Sequence, residues 1–178
     1  MTVFFSSDTH YFHNNIIRFS KRPYSDVEEM NKALITNWNS VVQPKDEVYH
    51  LGDFGFCDSA AADKILQKLH GRKYFIRGNH DQAIKGDVLK HFEWVKEMHE
   101  MKMYGQRITL CHYPLEAWNH SCHGSWHLHG HTHKNLKSSE DIRRWDAGVD
   151  SNNYAPISFE QVKQIMDLKP SRTCDCEY

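Results

Sequence analysis

The feature that most constrains this chain is a repeated pattern, in which a short apolar segment leads directly into a turn that carries metal-ligand side chains. Five segments follow the pattern in chain order: Asp8-Thr-His10, Gly52-Asp53, Gly78-Asn-His-Asp81, Cys111-His112 and Gly130-His-Thr-His133. In open α/β sheets, sites form beyond the carboxyl ends of the strands. We therefore expect the five turns to meet at such an edge and to form one site.

The side chains of the five turns share one coordination chemistry. They offer carboxylates, imidazoles and an amide oxygen, and this mixture suits Mn, Fe, Zn or Ni better than it suits calcium or a thiolate metal. Glycine at 52, 78 and 130 allows sharp turns or close backbone approach. Asp8 and His10, like His131 and His133, are two residues apart, which in extended backbone places both side chains on one side. A lone His112 is more often structural, but five such turns in succession indicate a metal centre.

The spacing of apolar residues predicts an α/β fold. Residues at helical spacing predict a helix over 26–40, namely Val27, Met30, Leu34, Trp38 and Val41. Strands alternate with helices in the first half, which favours a parallel sheet, whereas 95–103 and 107–111 flank a turn and favour a hairpin. The other predicted elements are strands at 3–7, 47–51, 73–77, 126–129 and 143–149, and helices near 62–69, 82–91 and 158–168.

Length and composition fit one layered α/β domain. The 178 residues can bury a real core, and 39% of them are hydrophobic. No repeat or linker divides the chain, so we expect one domain over 1–170 and a polar tail over 171–178. The formal net charge of −1, without a long run of one sign, argues against stable nucleic-acid binding. The 14 histidines are unusual and agree with a metal site.

The start of the chain and the cysteines predict a cytoplasmic protein without a membrane segment. Residues 1–8 lack the basic and then apolar order of a signal peptide, and no apolar run approaches the roughly 20 residues that cross a bilayer. The five cysteines are odd in number and scattered, unlike a secreted disulfide framework. Cys174 and Cys176 could bind metal or oxidise, although two exposed thiols are the simpler interpretation.

The ordered motifs resemble the calcineurin-like metallophosphoesterase superfamily over residues 8–133. The surrounding sequence resembles the small, single-domain prokaryotic and phage-type members, in His13-Asn-Asn-Ile-Ile17, Arg22-Pro23, Asn37-Trp-Asn39, His112-Tyr-Pro-Leu115 and Gly148-Val-Asp150. The resemblance implies a four-layer α/β/β/α sandwich with mixed sheets, which agrees with the α/β fold predicted from periodicity.

The resemblance also implies a role for each motif residue. A first metal is held by Asp8, His10 and His133, both metals are bridged by Asp53, and the second site is completed by Asn79, His112 and His131. His80 stays off the metals and polarises a phosphate oxygen or protonates the leaving group, while Asp81 tunes or orients it. Asp81 stands where many members have glutamate, and the family pattern accepts both.

The implied function is hydrolysis of phosphodiester or phosphomonoester bonds by a binuclear metal centre and a bridging hydroxide. We expect two divalent transition metals, manganese first and Fe, Zn or Ni as alternatives, and a phosphate-ester substrate that includes nucleotide-like ones. Small size leaves little capping structure, so an open cleft and a preference for diesters are expected. The alternative is a metal-binding scaffold or interaction module without catalysis, although the intact His80 argues against it. The natural substrate and the oligomeric state stay open.

A second group of residues carries weaker predictions. His13 and Arg22 are candidate contacts of the substrate phosphate, because a guanidinium binds planar sets of oxygens bidentately. Arg77 and the segment 120–126 are further candidates of this kind. For both arginines, a salt bridge at the surface is an equal alternative.

The chain also predicts how its other histidines are used. His127 and His129 precede the last ligand pair in a strand, and we expect them to be packed and hydrogen-bonded. Each ligating histidine should be oriented by an acceptor on its second ring nitrogen, for which Asp150 or a backbone carbonyl can serve.

Overall fold

The chain forms four α-helices and nine strands within residues 1–136 and 142–170, the part that the computed structural model describes. The helices are α1 Asn14–Phe19, α2 Val27–Val41, α3 Ser59–Leu66 and α4 Phe159–Asp167. The strands are β1 Val3–Ser6, β2 Glu47–His50, β3 Arg72–Ile76, β4 Phe92–Lys96, β5 Met98–Met103, β6 Gln106–Cys111, β7 Trp126–His129, β8 Arg144–Asp146 and β9 Ile157–Ser158. The predicted tail over 171–178, with Cys174 and Cys176, lies outside the described residues.

The strands form two mixed sheets. The first sheet has the order β4-β3-β2-β1-β9, in which β1 to β4 are parallel and β9 is antiparallel to β1. The second sheet has the order β5-β6-β7-β8, in which β5 is antiparallel to β6 and the other neighbours are parallel. The predicted α/β fold with mixed sheets is confirmed, and the second sheet is more parallel than the hairpin pattern indicates.

Two apolar cores hold the layers together. Helices α2 and α3 cover one face of the first sheet, where Leu34 and Leu66 are buried in the same cluster as Phe75 of β3. The second core lies between the sheets and contains Phe5 of β1 together with Leu110 of β6, and α4 contributes to it as well. Because both faces of the first sheet are covered, all four residues of β1 are buried, without the alternation of a half-exposed strand.

The predicted hairpin over 95–111 is correct in its turn and wrong in its first arm. The turn of β5 and β6 has φ of 48° at Tyr104 and 84° at Gly105, as a two-residue hairpin turn requires. The predicted arm over 95–103 divides near Glu97, because β4 pairs with β3 in the first sheet whereas β5 pairs with β6 in the second. A local pattern does not reveal such a change of partner, since strand pairing is non-local.

The other predicted elements are recovered with small differences. Helices α2 and α4 match the predictions over 26–40 and 158–168, whereas 82–91 contains a 3-10 helix over Gly86–His91. Neither α1 nor β9 was predicted, since both are too short for a periodic pattern. In the described ranges, none of the helices combines the length and the apolar composition that crossing a membrane requires.

Candidate metal centre

The five predicted turns meet beyond the carboxyl ends of β1, β2, β3, β6 and β7, so both sheets contribute to the site. Backbone hydrogen bonds tie the turns together, from the N–H of Asp8 to the carbonyl of Gly52 and from the N–H of Gly130 to the carbonyl of His112, both at 2.9 Å. Two groups of candidate ligands result, with ligand atoms within 4.8 Å of one another in each. We call them cluster 1 (Asp8, His10 and His133) and cluster 2 (Asp53, His112 and His131).

Two glycines allow the turns to approach one another this closely. A Cβ atom on Gly78 would overlap the carboxylate of Asp53 and would lie 2.6 Å from its backbone nitrogen. A Cβ atom on Gly130 would overlap the hydroxyl of Ser7 and the carboxylate of Asp8. Close backbone approach, the reason predicted for these glycines, is therefore what the structure shows.

The backbone at five of the seven candidate ligands is left-handed rather than extended. The φ angles are 55°, 50°, 54°, 70° and 45° at Asp8, His10, Asp53, His131 and His133. The prediction that the two-residue spacing acts through extended backbone is therefore wrong. Asp8 and His10 do share cluster 1, but His131 and His133 separate into clusters 2 and 1. Such strained conformations cost roughly 1–3 kcal/mol each and concentrate at functional sites.

Cluster 1 is largely buried and contains one ring nitrogen without a hydrogen-bond partner among the described residues. Burial raises the pKa of Asp8 to about 8, with His133 opposing the shift and Asp146 and Asp53 adding to it. Burial also lowers the pKa of His10 far below its usual range, so this ring is neutral. The Nε2 atom of His10 is buried with no hydrogen-bond partner among the described residues. A divalent cation fits here, because it compensates the Asp8 charge and accepts the lone pair of His10.

A carboxylate behind cluster 1 orients one of its histidines. The Nδ1 atom of His133 donates to Oδ2 of Asp150 at 2.8 Å, which leaves Nε2 of His133 directed at Oδ1 of Asp8, 3.9 Å away. Burial lowers the pKa of His133, but its hydrogen bond to Asp150 and the charges of Asp8 and Asp150 outweigh this effect and raise it. Asp150 thus stands where the sequence predicts an orienting acceptor.

Arg22 is the buried cation that holds Asp150. It donates to both oxygens of the Asp150 carboxylate, at 2.9 and 2.8 Å, to the carbonyls of Thr9 and Asp8 at 2.9 and 2.7 Å, and to the sulfur of Met30 at 3.4 Å. These contacts use all five N–H groups of the guanidinium. The predicted phosphate contact of Arg22 does not fit this position, because no donor is left for a ligand.

Cluster 2 is more open, and its buried histidine is oriented by a neutral group. His112 is buried, whereas His131 and Asn79 are exposed. Burial lowers the pKa of His112, and its Nδ1 donates to the carbonyl of Leu51 at 2.8 Å, so Nε2 of the neutral ring carries a lone pair. That Nε2 faces Oδ1 of Asn79 at 3.1 Å and Oδ2 of Asp53 at 3.6 Å. Three electron-pair donors converge here without a proton between them, so they repel one another. A bound cation would remove this repulsion by accepting all three electron pairs.

Asp53 faces both clusters with a single oxygen atom. Its Oδ2 lies 3.5 Å from Nε2 of His10 in cluster 1 and 3.6 Å from Nε2 of His112 in cluster 2. Its Oδ1 accepts a hydrogen bond from the backbone N–H of His80 at 2.9 Å. The backbone therefore fixes one oxygen while the other is free to be shared, which is the geometry that a bridging ligand needs.

His80 and Asp81 have different positions, although they are adjacent in sequence. The ring of His80 is half-buried and belongs to neither cluster. The buried carboxylate of Asp81 accepts from the backbone N–H groups of Asp53 and Phe54, each at 2.8 Å, and of Gly78 at 2.6 Å. The predicted role of Asp81 in orienting His80 does not fit these contacts, because Asp81 holds the Asp53 turn instead.

The weaker candidates lie at the edge of the site or outside it. The Nδ1 atom of His13 is 3.3 Å from Nδ1 of His10, so His13 borders cluster 1. Arg77 forms an ion pair with the exposed Glu97 at 3.7 Å, in agreement with the surface alternative. In the segment 120–126, the rings of His120 and His123 contact each other with 5.7 Å between centroids, and neither belongs to a cluster.

His127 and His129 are buried and hydrogen-bonded, as predicted. The Nδ1 atom of His127 donates to the carbonyl of Thr109 at 3.0 Å, and its Nε2 accepts from the backbone N–H of Leu115 at 3.0 Å. The Nδ1 atom of His129 donates to the carbonyl of Gly130 at 2.8 Å. His127 therefore anchors the loop that follows His112.

Asp146 is a site residue that the sequence did not single out. Its Oδ2 accepts from the hydroxyl of Thr132 at 2.7 Å and from the backbone N–H of Lys134 at 3.1 Å, while its Oδ1 accepts from the N–H of Gly148 at 2.7 Å. It thus holds the turn that supplies both His131 and His133. A signal was present, since Asp146 ends β8 and so repeats the pattern of a strand followed by a carboxylate.

Comparison with known proteins extends over most of the chain. A profile of the calcineurin-like phosphoesterase superfamily domain matches residues 1–148. An uncharacterized protein of Methanocaldococcus jannaschii is 36% identical over 172 residues, which cover 93% of this chain and 91% of that protein. The gene 66 protein of Mycobacterium phage L5 is 28% identical over 171 residues, which cover 80% and 82%. The crystal structure of a protein of unknown function from Aquifex aeolicus is similar with a TM-score of 0.72 and 27% identity, covering 92% and 98%.

Proposed function

Because the chain belongs to the calcineurin-like phosphoesterase superfamily, we propose that it hydrolyses phosphate esters with two divalent cations bound side by side at clusters 1 and 2. The observation that carries the proposal is the position of Asp53, whose Oδ2 lies 3.5 Å from Nε2 of His10 and 3.6 Å from Nε2 of His112. An oxygen shared in this way is what lets two cations lie as close as the roughly 3.5–4 Å of two-metal hydrolases.

Each cation has its own set of ligands in this proposal. Besides the shared Asp53, the first cation takes Asp8, His10 and His133, and the second takes Asn79, His112 and His131. A mixture of carboxylate, imidazole and amide ligands favours manganese, with Fe, Zn or Ni as alternatives. When bound, two such cations supply positive charge to the attacking and leaving oxygens and acidify a water that attacks phosphorus near neutral pH.

We assign His80 as the general acid that protonates the leaving oxygen. Its ring centroid is 5.5 Å from that of His10, so it lies next to cluster 1, and its half-buried ring is accessible to a substrate. Its backbone N–H donates to Oδ1 of Asp53. This hydrogen bond fixes the backbone of His80, from which the side chain projects, relative to Asp53. Histidine suits this role because general acids work best when they titrate near the working pH.

The exposure of cluster 2 supports a preference for diesters. His131 and Asn79 are exposed, so a substrate phosphate can carry a second ester arm without meeting a covering domain among the described residues. A monoester carries one more negative charge and has no second arm to accommodate. We therefore propose phosphodiesters as the main substrates, and monoesters as secondary ones.

The test compares His80→Ala with the native protein after both are loaded with manganese. The variant should keep two metal equivalents by elemental analysis and lose roughly 100- to 10,000-fold in turnover, the usual contribution of a general acid. The loss should be larger for a methyl leaving group than for 4-nitrophenolate, because a good leaving group needs less protonation. His120→Ala is the matched control, since His120 is an exposed histidine outside both clusters.

Two results would contradict this proposal. A His80→Ala variant that lost its metals would show that His80 is a ligand and not the acid. A native protein with two metal equivalents that turned over neither bis(4-nitrophenyl) phosphate nor 4-nitrophenyl phosphate, with Mn, Fe, Zn or Ni, would instead be the metal-binding scaffold considered from the sequence.

A further inference from the structure

Two exposed aromatic rings flank the metal centre, and the proposed hydrolysis requires neither of them. Phe56 is 59% exposed and follows Asp53 by three residues, and Tyr113 is 46% exposed and directly follows His112. Single exposed aromatic side chains are common on protein surfaces. These two differ from the others because the rings of site histidines lie against each of them.

Phe56 lies on the side of the proposed general acid. Its ring centroid is 5.9 Å from that of His80, with an interplanar angle of 63°, and 5.0 Å from that of His13, with an angle of 25°. One face of Phe56 is thus stacked on His13, and the exposed remainder borders the space beside His80. A leaving group protonated by His80 would therefore pass next to Phe56.

Tyr113 lies on the opposite cluster. Its ring centroid is 5.0 Å from that of His112 and 4.9 Å from that of His131, with interplanar angles of 75° and 66°. Both contacts are edge-to-face, so the ring of Tyr113 stands against the two imidazoles of cluster 2. Phe56 therefore lies beside His13 and His80, the neighbours of cluster 1, whereas Tyr113 lies directly against cluster 2.

Both rings are carried by turns that are already held in place. The backbone N–H of Phe56 donates to the carbonyl of Tyr11 at 2.8 Å, and the Asp81 carboxylate holds the turn just before it. On the other side, His127 accepts the backbone N–H of Leu115, two residues after Tyr113, at 3.0 Å. Ordered binding groups lose less conformational entropy when a ligand binds, so their contacts contribute more fully to affinity.

We propose that Phe56 and Tyr113 form a stacking subsite for planar bases, and that the substrates are small nucleotide-like phosphodiesters. The proposal rests on the phosphoesterase function given above. With the scissile phosphate at the two clusters, a base on the leaving arm stacks on Phe56 and a base on the other arm stacks on Tyr113. Stacking on aromatic side chains suits any base, since every base has a π face. The net charge of −1, with no basic run, favours short nucleotides over a polymer.

The test measures binding of two matched ligands to the manganese-loaded protein by calorimetry. Adenosine 5′-monophosphate and ribose 5-phosphate carry the same phosphate and sugar, and only the first carries a base. The native protein should bind the nucleotide at least about tenfold more tightly, in line with the usual strength of base–aromatic stacking. Phe56→Leu and Tyr113→Leu keep apolar bulk without a π face. Each variant should reduce the ratio of the affinity for the nucleotide to the affinity for ribose 5-phosphate. In the double variant the two affinities should be equal, while the affinity for ribose 5-phosphate stays unchanged.

Control variants come from exposed rings that do not border the clusters. Tyr104 is 70% exposed in the turn before β6, and Phe19 is 63% exposed at the end of α1. Since β6 rises roughly 3.3 Å per residue, Tyr104 lies about 20 Å from His112. Tyr104→Leu and Phe19→Leu should therefore leave the ratio of the two affinities unchanged.

The possible failures are distinguishable. If the loaded protein bound neither ligand and cleaved no generic diester, the phosphoesterase function itself would fail. If it cleaved bis(4-nitrophenyl) phosphate but bound both ligands equally, only the stacking subsite would be overturned. If the difference between the two affinities persisted in the double variant with both metals still bound, the base would be recognised elsewhere and Phe56 and Tyr113 would not be the subsite.

Discussion

The two ligand clusters have the same number of histidines but are held in place by different chemistry. Behind cluster 1 stands a buried ion pair, in which Arg22 holds Asp150 and Asp150 holds His133. The buried histidine of cluster 2 has a neutral partner instead, because Nδ1 of His112 donates to the carbonyl of Leu51. Cluster 1 is also the more buried of the two. If two cations bind as proposed, we expect the tighter site at cluster 1 and the more exchangeable one at cluster 2.

The largest effect should come from the one side chain that the clusters share. Asp53→Asn keeps the shape of the side chain and removes the charge that both cations need, so both metal equivalents should be lost. Turnover should fall by at least about 1,000-fold, equivalent to roughly 4 kcal/mol of barrier. Elemental analysis after desalting and a diesterase assay measure these effects. Asp58→Asn is the control, because Asp58 is an exposed helix cap on the same loop. A variant that retained two equivalents would show that the clusters do not depend on a common ligand.

Arg22→Lys should weaken metal binding at cluster 1 and not at cluster 2. Lysine keeps the charge but cannot make the five contacts of the guanidinium. Breaking a buried ion pair costs about 3–5 kcal/mol, and with the charge retained we expect roughly 2–3 kcal/mol less stability. The first, tighter step of a manganese titration should weaken about 10- to 100-fold, as for other groups that orient metal ligands, and the second step should change little. Arg18→Lys, on the exposed surface of α1, should alter neither quantity.

That titration tests whether the buried ion pair of Arg22 and Asp150 distinguishes cluster 1 from cluster 2. If Arg22→Lys weakened only the second step, the buried ion pair would not be what distinguishes cluster 1. If both steps weakened equally, Arg22 would act through the fold of the whole site, and urea denaturation of the metal-free protein would show a correspondingly larger loss of stability.

The candidate ligands could be predicted from sequence because each follows a strand, and strand ends are local features. Asp8, Asp53 and His112 were predicted as ligands on this basis, and the structure places them in the two clusters. The family resemblance assigned His131 and His133 to different metals, but their spacing alone could not, since the division depends on φ angles of 70° and 45° at two non-glycine residues. Extended backbone was the reasonable expectation, and it gave the wrong geometry.

The supporting residues were harder to predict because their contacts are distant in sequence. Arg22 and Asp150 are separated by 128 positions, so no spacing rule relates them. An arginine near a predicted phosphate site suggests a contact with the substrate. Only the structure shows that Arg22 is buried and donates to groups of the protein instead. Asp81 was misjudged for the opposite reason. Its neighbour His80 suggested a local partnership, whereas its carboxylate binds the backbone of a turn 27 and 28 residues earlier.

Acid should weaken the neutral support behind cluster 2 through His127. Burial lowers the pKa of His127 to about 4, so the folded protein favours the neutral ring relative to the unfolded chain. This stabilisation is complete above pH 6.5 and is lost as the pH falls from 6.5 towards 4. At 1.36 kcal/mol per pH unit, His127 accounts for a loss of roughly 2 kcal/mol by pH 5. In urea denaturation of metal-free protein, His127→Gln should reduce this pH dependence and the exposed His123→Gln should not. An unchanged slope in His127→Gln would mean that other buried histidines, such as His50, carry the effect.

The smallest effect should come from a contact that serves both clusters equally. Thr132 lies between His131 and His133, and its hydroxyl donates to Oδ2 of Asp146 at 2.7 Å. Thr132→Val removes this hydrogen bond at constant shape and should cost about 1 kcal/mol. Because the turn supplies one histidine to each cluster, both steps of the manganese titration should weaken by a similar factor, on the order of fivefold. Thr36→Val, which removes an exposed hydroxyl from α2, should leave both steps unchanged. If Thr132→Val instead weakened one step alone, the turn would serve a single cluster, and the histidine of the other cluster would be held by contacts of its own.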